Sequence, residues 1–299
     1  MALNFIHAGS QISLPLEKST CFTSITMPIS ASVIISTYNN PHALEMVLCG
    51  LSLQTESPSE IIVADDGSTQ ETAAVIEKWQ QIITPPVRHV WHEDIGNRKL
   101  KICNTAAKEA TGSYLLFLDG DSVPHSHWVS DHMDATKNGT VLCGRRVRLG
   151  PNLSKIIDVS FVESKKLEKI IGPILFSALS KDTKRYLLGI RLPSWLARCF
   201  HPSERRLMGV NFSLHKTLFE SVGRYPDFDD KIYETKENCR EDAQLEIQLL
   251  RAGVHRYPLL NRAIVYHLYH PERQPNKNIN DAIEKTYKDA LLYRKLSKG

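Results

Sequence analysis

The sequence lacks closely spaced cysteines, long hydrophobic runs and dense basic segments. Its six cysteines are scattered along 299 residues without a CxxC pair, so we expect buried, reduced thiols and a cytoplasmic location. No stretch approaches the roughly 20 apolar residues that a membrane-spanning helix needs. The opening residues, MALNFIHAGSQISLPL, have no basic start before an apolar run, which argues against a signal peptide. The net charge of +4 is too small to indicate a nucleic-acid partner, and it suits an anionic ligand or a membrane surface.

Glycine-rich phosphate-binding motifs are absent too. The sequence contains no GxGxxG, and the Gly-Lys dipeptide of a Walker A loop never occurs, so neither of these nucleotide-binding signatures applies. The HExxH pattern of many zinc enzymes is missing as well. If this protein binds a phosphorylated ligand, it needs another source of positive charge, and a metal ion is the simplest one.

The sequence does contain an alternation of apolar and amphipathic segments. Apolar and β-branched runs predict strands at 32–36, 60–64, 87–91 and 113–118, and helical periodicity predicts helices at 42–54, 71–82 and 98–111. The alternation predicts an α/β domain with a mostly parallel central sheet and helices on both faces. Ligands bind such sheets beyond the carboxyl ends of the strands, and three polar clusters, TYNN, DDGST and DGDS, lie there.

Asp119 and Asp121 flank Gly120 at the end of the fourth predicted strand. Two carboxylates this close need a counter-ion, or the pKa of one of them must rise. A divalent cation such as Mg²⁺ or Mn²⁺ that also contacts a diphosphate would satisfy both carboxylates. The alternative is an acidic turn in which Asp121 or Ser122 caps a helix over 124–133.

Other side chains could complete such a site. His267 and His270 follow an apolar run, and imidazoles at this spacing can share one metal ion, with a preference for Mn²⁺ or other transition ions over Mg²⁺. A chance spacing is the alternative. Asp242 opens a predicted helix beside Glu241, where helix-dipole stabilisation and a general-base role are both open. An Asx turn explains one carboxylate of DDGST, and the second can accept a hydrogen bond from a base or a sugar.

Taken in order, these clusters resemble the family 2 glycosyltransferases of the GT-A fold, which use nucleotide-diphosphate sugars. The similar segments are 31–55, 60–72, 104–129, 209–225 and 240–253. The last two are similar to the galactosyltransferase-like C-terminal segment of chondroitin-polymerase-type and β-1,4-galactosyltransferase-type enzymes. Together the resemblance covers about 31–150 and 207–275.

The resemblance implies roles for individual residues. Donor contacts would come from Thr37, Tyr38, Asn39, Asp66, Lys101, Asn104, Asp119, Gly120, Gly209, Asn211 and Glu241. The metal ligands, for Mn²⁺ or Mg²⁺, would be Asp121, His270, His267 and Asp119. Asp242 would be the general base. Cys103 stands where the family commonly has arginine, which leaves diphosphate contact to Arg98, Lys99 or Lys101.

The implied activity is a metal-dependent, inverting transfer of a sugar from a UDP-sugar to a hydroxyl of a glycan or lipid-linked saccharide, in polysaccharide or surface-glycan biosynthesis. One alternative is a catalytically silent subunit that binds nucleotide sugars. Another is a sugar-phosphate nucleotidyltransferase, but such enzymes usually have a Gly-rich, basic phosphate loop near the first strand, and TYNNP is neither.

Composition and the strand–helix alternation, together with the resemblance, suggest how the chain is divided. We predict an extension (1–29), one GT-A domain (30–275) and a helical tail (276–299). The domain comprises a nucleotide-binding half (30–125), a mainly helical insertion (about 151–206) and an acceptor-binding, catalytic half (207–275). The insertion mixes Lys and Arg with Ile, Leu, Phe and Trp. Two roles are open for the insertion: a peripheral contact with the inner face of the membrane, or a lid over the active site.

Overall fold

The computed structural model describes residues 29–169, 172–226, 241–271 and 277–296, without the side chains of residues 241, 277–280 and 282. Almost all of the predicted extension, two of the six cysteines (Cys21 and Cys239) and the side chain of Glu241 therefore lie outside the described residues. The strands are β1 (Ala31–Thr37), β2 (Glu60–Asp65), β3 (Val87–Trp91), β4 (Tyr114–Asp119), β5 (Ser122–Pro124), β6 (Thr140–Cys143), β7 (Arg145–Arg148), β8 (Asn211–His215), β9 (His255–Pro258) and β10 (Ile264–His267).

The helices lie between and after these strands along the chain. They are α1 (Pro41–Ser52), α2 (Gln70–Gln80), α3 (Lys99–Glu109), α4 (Trp128–Asp134), α5 (Pro151–Ser154), α6 (Val159–Glu163), α7 (Pro173–Leu179), α8 (Ser194–Cys199), α9 (Lys216–Ser221), α10 (Glu241–Arg251) and α11 (Lys277–Leu296). None of the described helices is both long and apolar enough to cross a membrane.

Within the described residues the large sheet has the strand order β3-β2-β1-β4-β8-β6-β9. The first four strands are parallel, and β8 runs antiparallel between β4 and β6. Alternate side chains of β1 belong to two different hydrophobic cores. Val33 and Ile35 share one core with residues of α1 and α2, and Ile34 shares the other with residues of α3 and α10. Burial of one such side chain contributes about 1.5–3 kcal/mol. These contacts confirm the predicted α/β class, with helices on both faces of a mostly parallel sheet.

A smaller sheet, in the order β5-β10-β7, adjoins the end of β4. Residues 122–124 form β5, and α4 begins only at Trp128 with His127 as its N-cap. The alternative that Asp121 or Ser122 caps a helix is therefore wrong. The reason is tertiary, because Ser122 pairs with His267 in an antiparallel ladder with β10, a partner that lies far away along the chain.

The insertion between β7 and β8 consists of the short helices α5 to α8 and two 3-10 turns, Lys166–Glu168 and Tyr186–Gly189, with residues 170 and 171 outside the description. The four described cysteines all have free thiols. Three of them are buried, as expected, but Cys199 on α8 is exposed.

Candidate active site

A cleft of about 890 Å³ opens at the carboxyl edge of the large sheet. It lies there because β1, β2 and β4 run parallel and end together. The described lining includes nine of the residues that the sequence proposes for donor or metal binding: Thr37, Tyr38, Asn39, Asp66, Asp119, Gly120, Asp121, His267 and His270. The three polar clusters thus meet at one edge.

Asp119 lies half-buried in the cleft. The register of β1 and β4 places it beside Ser36, whose hydroxyl donates to Oδ1 at 3.0 Å, and Lys99 Nζ donates to the same oxygen at 2.7 Å. Burial by itself would raise the pKa of Asp119, but Lys99 and Ser36 hold it below the ordinary value. Gly120 permits this approach of the strands, because a Cβ there would lie 2.8 Å from the Ser36 carbonyl oxygen.

Asp121, His267 and His270 converge at the same edge. One ligand atom from each lies within 4.8 Å of the other two, with Asp121 3.6 Å from His267 Nε2 and 3.4 Å from His270 Nε2. Pairing of β5 with β10 makes the contact, and the Leu268 amide donates to the Asp121 carbonyl at 2.9 Å.

The chemistry of this set of three ligands suits a divalent transition ion. Burial lowers the pKa of His267, an effect that Asp121 opposes and Arg146 reinforces. The ring is therefore neutral near pH 7, which is the form that binds metal. One carboxylate and two imidazoles suit Mn²⁺ better than Mg²⁺. Asp119, also proposed as a ligand, lies in the same cleft but outside this group of three, since its Oδ1 is paired with Lys99.

The two carboxylates at the end of β2, Asp65 and Asp66, have separate partners. Asp65 accepts from the Ser68 amide at 2.9 Å, which is the local turn bond that the sequence predicts for one of them. Asp66 accepts from the Arg98 amide at 3.0 Å and lies 2.7 Å from His92 Nε2. These contacts fix the Asp66 carboxylate at the cleft wall.

The loop after β1 forms the opposite side of the cleft. Tyr38 OH donates to Asp94 Oδ2 at 2.9 Å, and Asn39 Oδ1 accepts from the Thr69 amide at 2.9 Å. Asn39 has a φ of 47°, a conformation that Asn tolerates better than most residues. Thr37 Oγ1 is buried and has no hydrogen-bond partner among the described residues. The loop therefore offers the cleft an aromatic ring and an unsatisfied hydroxyl group.

A second pocket of about 300 Å³ adjoins the cleft and contains Asp242 and Gly209. Three residues line both spaces: Lys99, Asp119 and Arg146. Asp242 lies in the first turn of α10, where its Oδ1 accepts from the Ala243 amide at 2.8 Å. A Cβ on Gly209 would lie only 3.3 Å from the Asp242 Cβ, so glycine there leaves this side of the pocket open.

A buried ion network holds α10 in place. Glu246, one turn after Asp242, accepts from the Leu207 amide at 3.0 Å and from Arg256. Arg256 in turn donates to Tyr287 OH on α11 at 2.9 Å. Burial raises the pKa of Glu246, although Arg256 opposes that rise. The network joins α10, the segment before Gly209 and the C-terminal helix, and so it positions Asp242.

Sequence reasoning did not identify Arg146. It lies on β7, half-buried, with a buried Nε that has no partner in the described part of the chain. Burial lowers the pKa of its guanidinium, and the carboxylates of Asp119 and Asp121 oppose that effect. The signal was the RRVR run, whose alternate cations follow a β-strand period. Of the three basic candidates for diphosphate contact, Lys99 is the one in the described cleft lining.

Asn211 does not border the cleft, contrary to the sequence interpretation. It is fully buried, and its Oδ1 lies 3.0 Å from both Trp128 Nε1 and His132 Nε2. Its Nδ2 donates to the carbonyls of Arg145 and Ala263 at 3.0 and 2.7 Å. The side-chain amide of Asn211 makes all of its hydrogen bonds within the core, so we assign it a structural role.

Two other proposed donor contacts lie outside the described lining of both pockets. Asn104 exchanges two hydrogen bonds with the backbone of Tyr225, at 2.8 and 3.1 Å, and therefore holds that segment. Lys101 is half-exposed on α3. Both stand on the same helix as Lys99, but the turn of the helix directs only Lys99 of the three to the cleft.

The model of the family "Glycosyl transferase family 2" matches residues 32–192. Chondroitin synthase of Pasteurella multocida is 29% identical over 133 residues, which is 44% of this chain and 14% of that protein. Validoxylamine A glucosyltransferase of Streptomyces hygroscopicus is 37% identical over 90 residues, or 29% of this chain and 19% of that protein. The chain thus spans a small part of these relatives.

One solved structure with a similar fold is a complex of S. aureus TarS 1–349 with UDP, with a TM-score of 0.51, 16% identity, and coverage of 88% of this chain and 66% of that chain. Another is the mannosyltransferase PcManGT of Pyrobaculum calidifontis with GDP-Man and Mn²⁺, with a TM-score of 0.52, 14% identity, and coverage of 91% and 74%. These likenesses agree with the predicted GT-A architecture, and the family match covers more than half of the sequence. The chain belongs to glycosyl transferase family 2.

Proposed function

We propose that the protein transfers a sugar, with inversion and with the help of a divalent metal ion, from a UDP-sugar to a hydroxyl group of a glycan or lipid-linked saccharide. The observation that carries the proposal is the pair of adjoining pockets. One holds Asp66 and the group Asp121, His267 and His270, and the other holds Asp242. A donor bound across their shared wall would present its anomeric carbon towards Asp242.

In this proposal the larger cleft binds the nucleotide. Asp66 accepts a hydrogen bond from the uracil ring, and Tyr38 offers an aromatic face, since its ring is partly exposed at the cleft. Asp119 lies towards the ribose. Support comes from the two fold neighbours, whose structures contain UDP in one case and GDP-Man with Mn²⁺ in the other.

The diphosphate would lie against Lys99 and Arg146, the two cations that line both pockets. Asp121, His267 and His270 would hold the metal ion, which supplies a Lewis acid for the leaving group when bound. Lys99 Nζ lies 2.7 Å from Asp119 Oδ1. The two side chains place positive charge where negative charge grows as the sugar–phosphate bond breaks.

Asp242 would act as the general base. Its carboxylate takes the proton of the acceptor hydroxyl, the acceptor oxygen forms a bond to the anomeric carbon, and the bond from that carbon to the diphosphate breaks. UDP leaves with the electron pair of the broken bond. Because attack and departure occur on opposite faces of the sugar, the anomeric configuration is inverted.

A thermal-unfolding panel of UDP-, GDP- and dTDP-sugars, each with and without Mn²⁺, tests the donor class. At a ligand concentration of about 100 times Kd, binding adds about 2.7 kcal/mol, which raises Tm by roughly 4 °C for a chain of this size. We expect this shift with a UDP-sugar plus Mn²⁺. A shift with GDP-sugars alone would contradict the donor assignment, and no shift with any donor would contradict the proposed function.

The role of Arg146 can be tested separately. We expect Arg146→Ala to lower kcat by about 100-fold because one charge on the leaving diphosphate loses its partner. Arg146→Lys should recover part of that loss. Arg148→Ala is the matched control, since Arg148 lies two residues further along β7 and outside the described lining of both pockets. Equal losses in Arg146→Ala and Arg148→Ala, measured by UDP release, would assign the effect to the strand and not to the charge.

A further inference from the structure

One segment of the insertion exposes large apolar side chains and cations together. It spans residues 176–187, and the following exposed residues in it are named here the apolar–basic face: Phe176, Leu179, Lys181, Lys184, Arg185 and Leu187. Phe176 and Leu179 are 78% and 76% exposed, and they stand three residues apart on α7, on one side of the helix. Such exposure of neighbouring apolar side chains marks an interaction surface.

The acidic residue of this segment is turned away from the face. Asp182 accepts from the Leu153 amide at 3.1 Å and from the Ser177 hydroxyl at 3.0 Å, so its carboxylate caps α5 and joins it to α7. Because Asp182 is the only acidic residue among residues 176–187, the exposed charge of the face is entirely positive. The face therefore fits a partner that is anionic at its surface and apolar beneath.

The face is held firmly to the sheet that carries the candidate metal ligands. Lys184 exchanges backbone hydrogen bonds with Arg148 on β7, at 2.8 and 3.0 Å, and the Leu149 amide donates to the His267 carbonyl at 3.0 Å. The Asn261 side chain donates to the Leu187 carbonyl at 2.7 Å. Whatever the face binds is therefore kept beside the cleft.

The next helix along the chain, α8, and the residue after it present the same combination. Trp195 and Phe200 are 68% and 64% exposed, and Arg198 between them is exposed as well. Seven of the sixteen exposed large hydrophobic residues of the described chain lie in the insertion. Separate elements of the insertion thus combine exposed large apolar side chains with cations. A single side chain exposed by chance would not give this repeated combination.

We propose that the apolar–basic face docks the protein peripherally on an anionic lipid bilayer. Phe176, Leu179 and Leu187 enter the boundary between headgroups and acyl chains, and the three cations contact anionic headgroups. A bilayer fits better than an acidic protein. The face offers long cationic side chains but no acidic group, and a protein partner would need charges of both signs to fix its orientation. Docking needs no turnover, so it is independent of the proposed sugar transfer. It would bring a lipid-linked acceptor to the adjoining pockets.

Co-sedimentation of the full chain with vesicles tests this inference. Vesicles of phosphatidylglycerol and phosphatidylcholine should bind the protein at low salt at least tenfold better than vesicles of phosphatidylcholine alone, and higher salt should weaken the binding. The double variant Phe176→Ser, Leu179→Ser should lower the partition at least tenfold. The triple variant Lys181→Glu, Lys184→Glu, Arg185→Glu should abolish the preference for anionic lipid.

A matched control keeps the result specific. Ile82→Ser with Lys137→Glu changes an exposed apolar residue and an exposed cation outside the insertion, and it should bind vesicles like the unaltered chain. Thermal unfolding of every variant separates loss of docking from loss of fold. The inference is overturned if the chain ignores anionic vesicles, or if the double variant binds them unchanged. A dimer that the same substitutions dissociate, without vesicle binding, would assign the face to a second copy and overturn it too.

Discussion

Asp242→Asn is expected to lower the rate of sugar transfer by roughly 100- to 10,000-fold while leaving metal-dependent donor binding intact. The substitution removes the proton acceptor but keeps an oxygen that can accept from the Ala243 amide, as the carboxylate does at 2.8 Å. The start of α10 should therefore be preserved. The measurement is UDP release under saturating donor and acceptor, together with the Tm shift caused by donor and Mn²⁺.

The control for this variant is Asp281→Asn, which changes an exposed carboxylate on α11 and should leave both readings unchanged. Near-full activity of Asp242→Asn would show that another group takes the proton. Donor-dependent stabilisation of the unaltered chain without turnover of any donor would favour the alternative of a catalytically silent, nucleotide-sugar-binding subunit. The two outcomes are distinguishable because binding and turnover are measured separately.

Asp121→Ala should remove the part of donor stabilisation that depends on Mn²⁺. Asp121 is the carboxylate of the candidate metal site, 3.6 and 3.4 Å from the two imidazoles, and two imidazoles without a carboxylate hold a divalent ion weakly. In the unaltered chain Mn²⁺ at about 100 times its Kd adds about 2.7 kcal/mol, and in the variant we expect almost none of it. Thermal unfolding with UDP, with and without Mn²⁺, measures the difference.

Asp94→Ala is the matched control for Asp121→Ala. Asp94 lines the same cleft and bonds to Tyr38, but it lies outside the group of three candidate ligands. Its loss should weaken nucleotide binding without changing the Mn²⁺-dependent increment. If Asp121→Ala keeps that increment in full, the ion is held elsewhere and the assignment of the metal site fails.

The sequence predicted the first half of the fold well because the signals there are local. The β3 prediction matches the observed strand, and the observed bounds of β1, β2 and β4 differ from the predictions by at most one residue at each end. Parallel strands end at one edge, so the convergence of Asp66, Asp119 and Asp121 followed from strand order. Helix and strand periods need only a few neighbouring residues, which a single sequence contains.

Asn211 and Arg146 show where that reasoning fails. The family resemblance implied a donor contact for Asn211, but Asn211 is buried among Trp128, His132 and two backbone carbonyls. The sequence analysis did not single out Arg146, which lines both pockets in the structure. In each case the surroundings of the side chain are formed by segments that are distant in sequence, so the residues next to it along the chain do not predict them.

The sequence by itself determined the α/β class, the order of strands and helices in the first half, and the edge at which polar side chains gather. The tertiary structure alone decided that Ser122 pairs with His267, which brings Asp121 to the two histidines and excludes the helix cap. It also turned Asp182 inward, which leaves the apolar–basic face without an acidic group. The physical reason is that strand pairing and burial join residues across long stretches of chain, where no periodicity connects them.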